Sequence, residues 1–133
     1  MLCVDDNELD AEQVRRVARR LDPTLEVSHA SDGEDALAHL DAAGDLGPHL
    51  VLLDLNMPRL DGHGCLARIR ADAARATLPV VVLTTSVRAI DRDAALGAGA
   101  TDYLVKPLTV RALAALVELA RARRARSGPG PTG

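Results

Sequence analysis

Residues 50–58 read LVLLDLNMP, four apolar residues followed by an acid and then by a proline turn. An uninterrupted apolar run of this length is typical of a strand that is buried on both faces of a sheet. Such a strand belongs to a parallel sheet, and open α/β sheets form their sites at the carboxyl ends of their strands. The segment therefore places Asp54 where a functional residue would stand.

Three other predicted strands also end in polar residues. MLCV at the start of the chain runs into Asp5 and Asp6, VVVL is followed by Thr84, and YLV is followed by Lys106. Because the carboxyl ends of parallel strands meet at one edge, we expect these side chains to converge on Asp54.

The rest of the chain predicts the fold class. Strand and helix patterns alternate five times, with helical spacing clear in Val14, Val17, Ala18 and Leu21, and with a second strand predicted around residues 25–27. Right-handed crossovers between such strands give an α/β fold with a doubly wound parallel sheet. We expect one domain over residues 1–126 and a disordered Ser/Gly/Pro-rich tail over residues 127–133.

Composition excludes several classes of function. The net charge of -3 argues against a nucleic-acid binder, and no apolar run approaches the ~20 residues that a membrane span needs. The two cysteines match neither a metal spacing nor a disulfide framework, and the four histidines, predicted to be surface or loop residues, have no ligand spacing. We therefore expect a soluble, cytoplasmic protein.

The charged groups at the predicted sheet edge suggest a chemistry. Asp5, Asp6 and Asp54 offer the carboxylate oxygens that Mg²⁺ prefers. Thr84 and Lys106 add a hydroxyl and an ammonium that can donate to a tetrahedral anion. A phosphoryl group bound beside Mg²⁺ is the ligand that this set predicts.

These residues, with Asn56-Met57-Pro58, Asp61-Gly62 and Lys106-Pro107, resemble the CheY-like receiver domain of two-component response regulators. The resemblance covers about residues 2 to 124. The segment LTTS at 83–86 and the longer loop before Asp54 are more narrowly similar to the small stand-alone receivers that accompany bacterial phytochromes.

The resemblance implies a flavodoxin-like fold with five helices, five strands in the order 2-1-3-4-5, and phosphorylation of Asp54 by a sensor histidine kinase, with a bacteriophytochrome as one candidate. It implies Mg²⁺ bound directly by Asp6 and Asp54, by the Asn56 carbonyl and, through water, by Asp5. Lys106 would pair with the phosphoryl oxygens from a cis peptide to Pro107. The protein would then be a switch and not an enzyme, acting through phosphorylation-dependent protein contacts.

Two further expectations concern the response to phosphate and self-association. Thr84 would move toward the phosphoryl group, and Tyr103, the only aromatic residue, would pass from exposed to buried. The last helix carries a core stripe at Leu113, Leu116, Val117 and Ala120. Its second apolar stripe, at Ala112, Ala115 and Leu119, predicts a homodimer, unless the wide face merely covers a neighbouring helix.

Three alternatives remain open at this stage. A small Mg²⁺-dependent phosphatase could use the same residues through an aspartyl-phosphate intermediate, although Asn56 stands where a second acid would serve as general acid. A degenerate receiver used only as a scaffold would not need its charged positions intact. The chain could also be a fragment of a longer regulator.

Overall fold

A computed structural model describes residues 1–44, 47–57 and 60–127, with side chains as far as Arg123. The strands are β1 (Leu2–Val4), β2 (Ser28–Ala30), β3 (Val51–Leu53), β4 (Val80–Thr84) and β5 (Asp102–Val105). The helices are α1 (Glu8–Leu21), α2 (Gly33–Ala43), α3 (Gly62–Ala71), α4 (Ala89–Gly97) and α5 (Val110–Ser127), with a 3₁₀ turn at Ala73–Arg75. The strands form one parallel sheet in the order β2-β1-β3-β4-β5, so the predicted fold class is confirmed.

The second strand begins later than its apolar pattern predicts. The alternation of Leu25 and Val27 suggested a strand there, but the ladder with β1 starts at Ser28, whose N–H donates to the Met1 carbonyl at 2.9 Å. Leu25 and Val27 are partly buried against the core instead. Their alternation therefore marks a segment that packs on the core before it joins the sheet.

The sheet separates two hydrophobic clusters, and successive strand residues alternate between them. In β3, Val51 and Leu53 pack in one cluster with residues of α2 and α3. Leu52 packs in the other cluster with residues of α1 and α5. Cys3 and Cys65 are buried free thiols, and burial raises the pKa of Cys3 to about 12 and that of Cys65 to about 11, so both act as apolar filling.

Gly62 brings α3 against the end of β3. A Cβ atom there would lie 2.3 Å from the Asp54 carbonyl oxygen and 2.5 Å from the Leu55 Cα, both of which are backbone atoms. Asp61 caps the helix by accepting from the Gly64 N–H at 2.9 Å. The Asp61-Gly62 pair thus starts α3 directly behind the predicted phosphorylation site.

Helix α5 covers one face of the sheet with its predicted core stripe. Leu113, Leu116 and Ala120 are buried and Val117 is partly buried. In the second stripe only Ala115 is exposed, because Ala112 and Leu119 are partly covered. The apolar surface on this helix is therefore narrower than predicted.

Ser127, the first residue of the predicted tail, still belongs to α5, and residues 128–133 lie outside the described part of the chain. No described helix combines the length and the apolar content that crossing a bilayer requires.

Candidate functional site

Backbone hydrogen bonds carry the sheet ladder into the predicted site residues. The N–H of Asp5 donates to the Ala30 carbonyl at 3.0 Å, and the N–H of Asp54 donates to the Val4 carbonyl at 2.9 Å. On the other side, the Lys106 N–H donates to the Thr84 carbonyl at 2.7 Å. These residues therefore occupy adjacent strand ends, as the sequence predicted.

Three carboxylates form the acidic part of the site. Asp5, Asp6 and Asp54 each place an oxygen within 4.8 Å of the others, and among the described residues they are the one such group of potential metal ligands. Asp5 and Asp54 are buried, while Asp6 is exposed. A hard divalent cation fits this all-oxygen set, with an open side for retained waters.

Asp54 is held in a setting that disfavours its charge. Burial raises its pKa above the usual value; the Lys106 ammonium and the Asn56 N–H counteract this only in part, and the charges of Asp5 and Asp6 add to the rise. In the isolated chain, the positive charge near the Asp54 carboxylate is therefore too small to offset its burial and the neighbouring acids. A bound cation would supply that charge.

Lys106 is the cation of the site, and the predicted cis peptide joins it to Pro107. Its Nζ lies 2.7 Å from an Asp5 carboxylate oxygen, 2.8 Å from Asp10 and 3.8 Å from Asp54. Burial alone would lower the pKa of Lys106, but its hydrogen bonds to Asp10 and Asp5 and the nearby negative charges outweigh burial and raise it. Lys106 is therefore firmly protonated.

Asp10 is the member of this group that the sequence prediction missed. It lies in the first turn of α1, ninety-six positions before Lys106 along the chain. Asn7 sets the start of that turn, because its side chain accepts from the Leu9 and Asp10 N–H groups while its own N–H donates to Asp5. The sequence signal that could have identified Asp10 is an acid in the first helical turn after the strand-end pair Asp5-Asp6.

Thr84 and Tyr103 occupy the predicted switch positions. Thr84 is fully buried, and its hydroxyl oxygen accepts from the Ser86 N–H at 3.4 Å, a long contact. The Tyr103 ring is half-buried against the core, and its hydroxyl donates to the Ser86 carbonyl at 3.0 Å. The expectation of an exposed ring is therefore corrected, because this hydrogen bond and the core hold the ring inward.

Three histidines lie in helices or strands, and Asn56 lies in the loop after β3. His29 was predicted on the surface or in a loop, but it lies in β2 with its Nε2 2.7 Å from the Asp5 carbonyl oxygen. His39 is exposed on α2 and His63 is partly exposed on α3, so the prediction of a surface position is confirmed for His39. Asn56 has an exposed side chain, and Pro58 of its motif lies outside the described residues.

Comparisons with known proteins agree with this geometry. The model of the response regulator receiver domain matches residues 1–118. The probable methanogenesis regulatory protein FilR2 of Methanothrix harundinacea is 37% identical over 121 residues, which are 89% of this chain and 78% of FilR2. The transcriptional regulatory protein PrrA of Mycobacterium leprae is 39% identical over 93% of this chain, which spans only 50% of PrrA.

Solved structures give the same result. The phosphorylated cyanobacterial phytochrome response regulator RcpA has a TM-score of 0.73 at 29% identity, covering 92% of this chain and 89% of that structure. The Mn²⁺-bound response regulator Rcp1 has a TM-score of 0.69 at 30% identity, covering 98% and 95% of the two chains.

Proposed function

The chain belongs to the response regulator receiver domain family, and on that premise we propose that a histidine kinase phosphorylates it on Asp54 in a Mg²⁺-dependent reaction. The observation that carries the proposal is the convergence of Asp54 with two further acids and with Lys106 at one sheet edge. A structural role would not gather these carboxylates around a single ammonium group there.

The reaction is a phosphoryl transfer to a carboxylate. An Asp54 oxygen forms the new bond to phosphorus while the bond from phosphorus to the donor nitrogen or oxygen breaks, and the donor leaves with that electron pair. Lys106 donates to the phosphoryl oxygens, and the buried Thr84 hydroxyl is the next donor at this edge. Mg²⁺, held by Asp5, Asp6, Asp54 and Asn56, would neutralise charge on the transferred group.

Acetyl phosphate with Mg²⁺, followed by intact mass measurement, tests the proposal. We expect the wild type to gain the mass of one phosphoryl group and Asp54→Asn to gain none. Asp93→Asn, which removes an exposed acid on α4, is the matched control and should behave as the wild type. An Asp54→Asn variant that gained phosphate at the wild-type rate would contradict the assignment.

The partner proposed is a sensor histidine kinase of the bacteriophytochrome type in the cytoplasm. Its support is the likeness to the phytochrome response regulator RcpA over nine-tenths of the chain. Phosphotransfer from purified bacteriophytochrome kinases should outpace transfer from chemotaxis-type kinases at equal concentration. Equal rates from both would argue against this pairing. The output proposed is a protein contact and not nucleic-acid binding.

The switch proposed runs from Thr84 to Tyr103 through Ser86. The long Ser86–Thr84 contact is weak, so a phosphoryl group can recruit the Thr84 hydroxyl at little cost and release the Ser86 N–H. The Ser86 carbonyl accepts a hydrogen bond from the Tyr103 hydroxyl, so a movement of Ser86 changes the position of the ring. Tyrosine emission should change on phosphorylation in the wild type and stay constant in Thr84→Val; a constant emission in both would contradict the switch.

We also propose a homodimer through α5 and the surface beside it. Ala115 is exposed, Leu119 is partly exposed, and Val105, at the end of the preceding strand, is 42% exposed. Analytical ultracentrifugation should show a dimer that Leu119→Glu weakens and that Arg111→Glu, an exposed change on the same helix, does not. A wild type that stays monomeric with and without acetyl phosphate would refute it.

The phosphatase alternative is not favoured. The relatives reported above are regulators, and Asn56 occupies the place where a second acid would protonate a leaving group.

A further inference from the structure

The ammonium of Lys106 is shared between two elements of the fold. Asp5, at the end of β1, accepts from it at 2.7 Å, and Asp10, on α1, accepts at 2.8 Å. Asp54 lies at 3.8 Å, beyond hydrogen-bond range. In the unphosphorylated protein, Lys106 is therefore bound to α1 more closely than to the residue that it is proposed to serve.

Exposure distinguishes the two acids that hold the lysine. The Asp5 side chain is 4% exposed, whereas the Asp10 side chain is 39% exposed. If the Lys106 ammonium left Asp5, a buried carboxylate would remain without a partner, whereas water can replace the ammonium at Asp10. The Asp10 contact is therefore the one that yields when another anion competes for Lys106.

Space for this exchange lies beside the pair. Asp10, Gln13 and Lys106 line the polar side of a cavity of about 60 Å³ that is partly open to solvent and whose other side is apolar. A cavity of that size has room for about two waters, which can hydrogen-bond to the Asp10 carboxylate on its polar side after the ammonium leaves.

We propose that Asp10 is a positioning residue that competes with the phosphoryl group for Lys106, so that α1 restrains the lysine until Asp54 is phosphorylated. The proposal rests on the phosphorylation of Asp54 proposed above. In the transition state, the phosphoryl oxygens accept a stronger hydrogen bond, and Lys106 donates it by giving up its contact with Asp10. Asp10 thus makes the unphosphorylated state more favourable and slows entry into the phosphorylated one.

Lys106 is the only lysine of the chain, which allows a direct observation. Protein labelled with ¹⁵N-lysine gives a single side-chain ammonium signal in NMR. In Asp10→Asn that signal should shift and exchange faster with water, whereas Asp10→Glu should restore the wild-type behaviour. A signal that Asp10→Asn leaves unchanged would overturn the contact and, with it, the proposal.

Kinetics with acetyl phosphate and Mg²⁺ test the competition itself. A partly exposed ion pair is worth up to about 1 kcal/mol, so Asp10→Asn should raise kcat for phosphorylation about two- to fivefold, with a smaller change in KM. Glu8→Gln removes an exposed charge from the same helical turn and should change neither constant. Because the effect passes through Lys106, Asp10→Asn should have no effect in a Lys106→Gln background.

The outcomes separate this inference from the proposed function. A wild type that takes up phosphate, with an Asp10→Asn variant of equal or lower kcat, overturns the competition alone. An acceleration that persists with Lys106→Gln also overturns it, because the effect would not pass through the lysine. A wild type that takes up no phosphate overturns the proposed function, and the competition falls with it.

Discussion

Gly62→Ala should destabilise the protein strongly, although the substitution adds only one methyl group. The new Cβ would meet the Asp54 carbonyl oxygen at 2.3 Å and the Leu55 Cα at 2.5 Å, and neither backbone atom can rotate away. Overpacking of this kind costs about 3 kcal/mol, and the gain of alanine over glycine in a helix returns about 1 kcal/mol. The net loss of about 2 kcal/mol corresponds to a melting temperature lowered by about 8 °C.

Urea unfolding followed by circular dichroism measures this loss. Gly97→Ala is the control, because Gly97 is the last residue of α4 and no atom lies within 4 Å of its Cβ position. That variant should gain up to about 1 kcal/mol. Equal midpoints for Gly62→Ala and Gly97→Ala would refute the close approach of α3 to the phosphorylation site.

Three further perturbations test the charges and contacts described above. Because burial raises the pKa of Asp54, the folded protein binds the Asp54 proton more tightly than the unfolded chain does, and this contribution to stability is lost as pH rises from the unfolded pKa through the folded one. Without Mg²⁺ at neutral pH, Asp54→Asn should therefore have a higher melting temperature than the wild type. A lower melting temperature would contradict this pKa shift. Millimolar Mg²⁺ should raise the melting temperature of the wild type but not of Asp6→Ala, and equal shifts in differential scanning fluorimetry would exclude the metal site. Arg70→Ala removes hydrogen bonds at 2.8 Å to the Gly99 carbonyl and at 2.7 Å to the Arg75 carbonyl, so urea unfolding should show a loss of about 1–3 kcal/mol, and a loss near zero would show that water replaces the side chain.

The sequence predicted the sheet well where burial is complete. The apolar runs at 50–53 and 80–83 contain no polar residue that would weaken the strand prediction, and both form central strands. At the sheet edge, β2 begins three residues later than predicted, because Ser28 and His29 pair with β1 but are not buried. Edge strands carry less of the hydrophobic signal on which such predictions depend.

The candidate site was predictable only as far as strand ends allow. Asp5, Asp54 and Lys106 follow strands directly, so topology alone brings them together. Asp10 lies on a helix, and whether its side chain faces the lysine depends on how the Asn7 cap rotates the first turn. The half-buried state of Tyr103 likewise depends on a hydrogen bond to the Ser86 backbone, which no local pattern encodes.

The two-sided core limits how the gene can change in length. Since Val51 and Leu53 pack below the sheet and Leu52 packs above it, deletion of one codon within β3 would exchange the partners of every later residue in that strand. The same deletion would draw Asp54 back into the ladder and turn its carboxylate away from Asp5 and Lys106. Insertions and deletions in descendants of this gene should therefore accumulate in the connections and spare the strands, and a viable one-codon deletion in β3 would be the exception to look for.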